Sequence, residues 1–434
     1  MKYQRFIFQN YEFNVDSKTL RLYYSFDGML DFCESYHFDF DFTTYDEIAF
    51  DRACQLLFFI AGVSYYKAYL SEDIYLEVGQ LDQETANFLS KTYERGLGEF
   101  FYVNHLDPNT PIKFPCNQEK LSPISNRWSK PGQLISIGGG KDSLVSVELL
   151  RQHRQDIATW SVGHRPQLEP LVKQVGLPHL WVERTWDRYL LEHNAKGAYN
   201  GHVPISAIFA GVGTVVSVLS GYQDIVMSNE GSANEPTLRY QGVEINHQYS
   251  KSLEFEVDYQ NILYHLFGDN IRYYSLLRPF SEVYIAKLFS QIGFDKYKDT
   301  FSSCNQAYTH ESNHMFWCGE CPKCSFIFLA LTPFVDRAAL EFLWHGKNLL
   351  LDPNLEVIYR QLLGIEGDKP LDCVGEIKET RAAMRLAQSI YPELSRYQFE
   401  LPDSYDFKTL GEHRMPDDLF RQITQTIATL KINE

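Results

Sequence analysis

The chain has 434 residues, 44% of them hydrophobic and 22% charged, with a formal net charge of −16. That length supports more than one domain and a sizeable core. The acidic balance and the lack of any lysine- or arginine-rich run argue against a nucleic-acid partner, and no apolar run reads as long enough to span a membrane.

The start, "MKYQRFIFQNYEF", lacks the apolar segment and cleavage site of a secretory signal, so the expected compartment is the cytoplasm. Residues 1 to about 45 alternate aromatic and polar side chains, broken by "DSKT" and "DG", which predicts a small antiparallel sheet of hairpins. Residues 46–67 and 83–102 carry apolar side chains three and four apart and read as helices. A proline-rich stretch over 104–133 then reads as a long connection.

From 133 to about 300 the pattern becomes strand, helix, strand, helix. "QLISI", "IATWSV", "HLWV", "DIVMS" and "IRYYS" are the strands, and "PISAIFAGVGTVVSVLSG" and "SEVYIAKLFSQIG" are among the helices. This alternation predicts an α/β fold, a parallel sheet with flanking helices. Beyond residue 324 the chain reads as mostly helical, most clearly in "EIKETRAAMRLAQSIY" and "DLFRQITQTIATLK". The resulting division is an aromatic-rich α+β domain over 1–125, an α/β domain over 126–335 and a helical region over 336–434.

"ISIGGGKDSLVSVELL", residues 135–150, joins a strand to a helix through glycines. It is not a Walker A loop, because Ile135 stands where the first glycine belongs and Asp142 follows Lys141. It is not a dinucleotide fingerprint either, since Ser143 takes the place of the last glycine. A plain structural turn is the bland alternative. The functional reading is an anion site: Gly138, Gly139 and Gly140 let the backbone approach closely, the amides of Lys141, Asp142 and Ser143 open the helix, and Lys141 adds charge. Asp142 suits such a site if magnesium bridges it to phosphate, or if it caps the helix.

Cys304, Cys318, Cys321 and Cys324 follow a C-x13-C-x2-C-x2-C spacing that suits a closed tetrahedral zinc site of structural type. An iron–sulfur cluster has similar ligand needs. His310 and His314 lie within the span but are unnecessary beside four thiolates. Cys33, Cys54, Cys116 and Cys373 are scattered and read as plain buried thiols. The polar stretch 228–256 reads as a solvated loop or as a ligand-binding one at the end of a parallel strand. In the second case Glu230, Asn234, Glu235, Asn246, His247, Gln248, Ser250 and Lys251 are the candidates, with His202 just before a predicted helix.

"GGGKDS" resembles the S-G-G-x-D-S loop of the PP-loop ATP pyrophosphatase superfamily. Gly139, Gly140, Asp142 and Ser143 match by position, Lys141 fills the variable site, and Gly138 departs where serine is usual, removing a hydroxyl contact. With "SNEGSANEPT", "NHQYSKSLEFE", "WCGECPKC" and "KPLDCVGE", the chain resembles the UDP-N-acetylmuramoyl-L-alanyl-L-glutamate epimerase (MurL) family. That resemblance implies a PP-loop fold, ATP, magnesium and structural zinc, and a UDP-MurNAc-dipeptide substrate in peptidoglycan precursor synthesis. It also implies epimerisation of the terminal glutamate through an acyl-adenylate, with release of AMP and pyrophosphate. Lys141 and Asp142 would serve the ATP step. Cys373, His202, His247 and Lys251 are the candidates for proton transfer, since a thiol, imidazole or amine would serve. Rival readings are an enzyme like the 7-cyano-7-deazaguanine synthases and an inactive nucleotide-binding regulator. The extra N- and C-terminal regions count against the first.

Overall fold

The computed structural model describes residues 3–42, 44–153, 156–308 and 312–430. Three N-terminal strands, β1 (Arg5–Asn14), β2 (Thr19–Phe26) and β3 (Leu30–Asp39), form the predicted antiparallel hairpins, and β4 (Asp73–Leu76) adds in parallel to β1. The strands expected further on are β5 (Lys130–Ser136), β6 (Ile157–Val162), β7 (His179–Thr185), β8 (Tyr222–Met227) and β11 (Arg272–Ser275), and their mutual pairings are parallel. Between the last two, β9 (Leu238–Tyr240) and β10 (Val243–Ile245) make a separate hairpin within the polar stretch.

These pieces form one nine-stranded sheet in the order β11-β8-β5-β6-β7-β3-β2-β1-β4. The join is β3, which pairs antiparallel with β7. At that seam the buried Glu34 carboxylate accepts from Arg184 Nε at 2.8 Å. Breaking such a buried pair leaves an uncompensated charge. The sheet and the core beneath it therefore run unbroken across residue 125: Phe6, Phe32 and Phe58 share a cluster with Leu134, Val212 and Ile225.

The central strands are apolar because both faces are covered. Along β5 and β8, Leu134 and Ile225 enter one core while Ile135 and Val226 enter the other, as the two-residue strand period requires. One face carries the helices Glu47–Ala61, Ile205–Ser220 and Leu253–Phe267, and the other carries Lys141–Arg151, Glu282–Ile292 and Pro322–Leu331.

One expectation needs correction. The helical segment Glu47–Tyr66 is long and apolar enough, by length and composition, to cross a membrane. In this fold 72% of its most apolar window is buried, and it serves as a core helix. Its apolarity reflects packing on several sides, including Phe8 and Tyr24 against Phe58.

Within the parallel half, strand order reverses between β5 and β8. Open α/β sheets bind ligands beyond the strand C-termini at such a switch point. The glycine stretch follows β5 and Ser228-Asn229-Glu230 follows β8, so the topology places both at this crevice.

Candidate active site

Gly140 caps the helix Lys141–Arg151 with no side chain bonded to its first-turn amides, so backbone donors face the crevice. Gly139 sits at φ +86°, where a Cβ would meet the Tyr308 hydroxyl at 1.9 Å, so only glycine fits. Gly138 is the reverse case: a Cβ there would meet nothing within 4 Å. The segment around Cys304 braces this loop. The Ser302 amide donates to the Gly139 carbonyl at 3.0 Å, and the Tyr308 hydroxyl donates to the Gly138 carbonyl at 2.7 Å.

Gly138, Gly140, Asp142 and Ser143 line a cavity of about 430 Å³, within the usual range for small-molecule sites. Its walls also include Trp160, His164, Asn229, Lys251 and Cys373. Lys141 is not on that wall. Its ammonium is buried beneath the loop, 2.5 Å from Asp142 Oδ1 and in contact with the Glu282 carboxylate. Burial works against its charge, but the two carboxylates hold its pKa above the ordinary lysine value.

Glu282 was not visible as a site residue in the sequence. Carboxylate oxygens of Asp142, Glu230 and Glu282 lie within 4.8 Å of one another. Glu282 Oε1 is buried with no hydrogen-bond partner, the Lys323 ammonium standing off at 3.9 Å, and burial raises its pKa against the pull of Lys141 and Lys323. Three hard oxygen donors with an unmet lone pair suit a cation such as magnesium.

The proton-transfer candidates come from three separate segments and meet at one place. Lys251 Nζ donates to Cys373 Sγ at 3.2 Å, and His247 Nε2 is 3.8 Å from the same sulfur. His247 Nδ1 contacts the carboxylate of Glu99, and His202 Nδ1 lies 3.5 Å from it. The two imidazole rings are 4.7 Å apart. Burial alone would raise the Cys373 thiol, but Lys251 and His247 bring it down to about 7. Burial likewise opposes the charge on His247, yet Cys373 and Glu99 lift it to about 9. His202, buried and beside a charged His247, falls to about 4.

Glu99 belongs to the region before the proline-rich connection, within "GLGEFFY", and nothing in that stretch marks it as a site residue. Lys323 was missed too. Its ammonium donates to the Cys373 carbonyl, while Asn305 Nδ2 donates to Asp372 Oδ1 at 3.0 Å. These two neighbours of the cysteine cluster thus grip the loop that carries Cys373.

The remaining polar candidates divide. Glu230 is buried near the other carboxylates. Glu235 pairs with Lys369 at 2.6 Å, tying the polar stretch to the Cys373 loop. Asn234 accepts from the Leu253 amide at 2.7 Å, and Asn246 bonds the Ala233 carbonyl and the Gln248 amide at 2.9 and 2.8 Å. Their side chains hold the stretch in shape. Gln248 and Ser250 are buried, and Gln248 Oε1 has no partner.

The sulfurs of Cys304, Cys318, Cys321 and Cys324 lie within 4.8 Å of one another. Cys318 and Cys324 are 3.7 Å apart, against roughly 3.8 Å for tetrahedral zinc with bonds of about 2.3 Å. The amides of Gly319, Glu320 and Cys324 donate to sulfurs at 3.4, 3.4 and 3.5 Å, which fixes the sulfurs in place. The set fits a single ion. His314 is exposed and outside it, and His310 lies outside the described residues.

Fold and site together define an α/β protein in which a glycine loop at a helix N-terminus faces a cysteine flanked by cations. The MurL N-terminal domain matches residues 1–276, from β1 through β11, and the MurL C-terminal domain matches 300–395. The chain belongs to the MurL family, as its motifs led one to expect. It is 35% identical over 398 residues to the UDP-N-acetyl-alpha-D-muramoyl-L-alanyl-L-glutamate epimerase of Xanthomonas oryzae pv. oryzae (strain MAFF 311018), covering 88% of this chain and 87% of the relative. A protein of the same name from Salinispora tropica (strain ATCC BAA-916 / DSM 44818 / JCM 13857 / NBRC 105044 / CNB-440) is 39% identical over 341 residues, 77% of this chain and 73% of that one.

Proposed function

We propose that this chain is an ATP-dependent epimerase that converts the terminal L-glutamate of UDP-N-acetylmuramoyl-L-alanyl-L-glutamate to the D form, in peptidoglycan precursor synthesis. The observation that carries the reading is the single cavity shared by the glycine loop, Lys251 and Cys373. Family membership and the names of the relatives supply the substrate.

The α-proton of a terminal glutamate bearing a free carboxylate is very weakly acidic, because the carbanion would sit beside that charge. Attack of that carboxylate on the α-phosphorus of ATP expels pyrophosphate and gives an acyl-adenylate, which removes the charge. The amides opening the helix Lys141–Arg151, with the Ser143 hydroxyl, would receive the pyrophosphate in a PP-loop arrangement. Asp142, Glu230 and Glu282 would hold magnesium, which offsets phosphate charge when bound.

Cys373 is the thiol on the cavity wall, and we assign it to abstraction of the α-proton. Lys251 and His247 bring its pKa down to about 7, so that thiolate is available at neutral pH. A proton returns to the opposite face, and water cleaves the acyl–phosphate link to release AMP. The four cysteines would hold structural zinc, away from the chemistry.

The test is the intact protein with the UDP-linked dipeptide, ATP and magnesium in deuterated water. The expected result is deuterium at the glutamate α-carbon together with pyrophosphate release, both requiring ATP. Pyrophosphate without α-deuterium would move the chain to a carboxylate-activating enzyme of another kind. No nucleotide turnover would make it a binder only.

A further inference from the structure

The two histidines of the site share one carboxylate, and it comes from the N-terminal part of the chain. We propose that Glu99 is a positioning residue that fixes which of the two imidazoles carries the extra proton, holding it on His247 against the Cys373 sulfur and leaving His202 neutral. This deepens the proton-transfer role assigned to Cys373 and takes its functional meaning from that reading.

The geometry supplies the reason. His247 presents Nδ1 to Glu99 and Nε2 to Cys373, at 3.8 Å. To donate to both it must carry two ring protons. His202 also turns Nδ1 to Glu99, at 3.5 Å, but its ring stands 4.7 Å from that of His247. Two imidazolium ions at that separation repel, and one partly buried carboxylate balances one of them. The closer ring, which also has the thiolate, takes the charge.

Other charged groups bias the same choice. Lys67 and Lys251 both act against a proton on His202. At the sulfur, Lys251 and Lys323 add positive charge, while the Asp372 carboxylate is held by the Cys373 amide at 2.8 Å. The values of about 9 for His247 and about 4 for His202 agree with this division. Glu99 thereby acts on the sulfur through His247, with no contact of its own to the thiol.

The experiment compares the intact protein with Glu99→Gln, following iodoacetamide alkylation of the Cys373 peptide by mass spectrometry across pH. Cys116, expected from the sequence to be buried, is exposed on the proline-rich connection and serves as the internal reference. In the parent chain the Cys373 midpoint is expected at about 7. In the variant it should rise by about one pH unit, so that alkylation at neutral pH slows several-fold while Cys116 is unchanged. A general loss of structure would also open the buried Cys54 to alkylation, which a folded variant keeps protected. An unmoved Cys373 midpoint in a folded variant overturns the proposal.

A titration of the unmodified protein by NMR of labelled histidine side chains stands independently of the variant's folding. His247 should remain protonated above pH 8 and His202 neutral at pH 6. Both rings titrating together near an ordinary histidine value overturns the proposal. A Glu99-dependent Cys373 midpoint without α-deuterium uptake would remove the proton-transfer reading and leave the Glu99 assignment standing. Deuterium uptake with a Glu99-independent midpoint would do the opposite.

Discussion

The glycine loop and the Cys373 cluster face the same cavity but are built in opposite ways. The loop is six consecutive residues, held by backbone geometry and by carbonyls that accept from Ser302 and Tyr308. The cluster gathers Glu99, His202, His247 with Lys251, and Cys373 from distant parts of the chain, and is held by charge. The loop's donors are mostly main-chain amides, with Lys141 pinned beneath them by Asp142 and Glu282. A site made of mutual charge depends on every member.

The largest expected effects set these two halves against each other. Asp142→Ala should lower pyrophosphate release by roughly a hundredfold or more while the zinc content stays unchanged. Retained turnover would sink the loop's assignment to ATP. Cys373→Ser should do the reverse, cutting α-deuterium uptake by roughly 10²- to 10⁴-fold while pyrophosphate release continues. If Cys373→Ser stops both readouts equally, the division between activation and proton transfer is wrong.

A change in the cysteine cluster should blur the comparison, because its segment touches both halves. Ser302 and Tyr308 hold the loop, and Asn305 and Lys323 hold the Cys373 segment. Cys321→Ser is expected to give poorly soluble, metal-depleted protein. In any soluble fraction, nucleotide binding and the depressed Cys373 alkylation midpoint should both be lost. A folded, fully active Cys321→Ser protein would remove the structural-zinc claim, with metal analysis as the check.

The same contrast explains what the sequence made legible. Strands such as "IATWSV", the glycine loop and the paired C-x2-C steps are local patterns, and each was found where its pattern stood. Cys373, His202, His247 and Lys251 were named for their chemistry alone, and the fold brings them together. Glu99 left no local mark, because its partner His247 is 148 residues away. Its place beside the glycines makes Lys141 read as a phosphate contact. Its burial depends on Glu282, 141 residues on. The seam between β3 and β7 was hidden for a related reason. Alternation shows that Phe32, Glu34 and Tyr36 share an inward face, but not that Arg184 waits across it.

The smallest expected effect concerns Gly138, the one loop position that departs from the resemblance. Gly139 beside it sits at φ +86° with the Tyr308 hydroxyl 1.9 Å from a would-be Cβ. Gly138 has neither restriction. Gly138→Ser should therefore fold normally, with a stability change within about 0.5 kcal/mol, read by thermal melting. Its hydroxyl would stand on the cavity wall, where one added hydrogen bond contributes about 0.5–1.5 kcal/mol. Affinity for a non-hydrolysable ATP analogue, measured by calorimetry, should then rise by roughly two- to tenfold. A fall would mean that position 138 needs close backbone approach rather than a hydroxyl, and that this loop meets its anion differently from the serine-bearing loops it resembles.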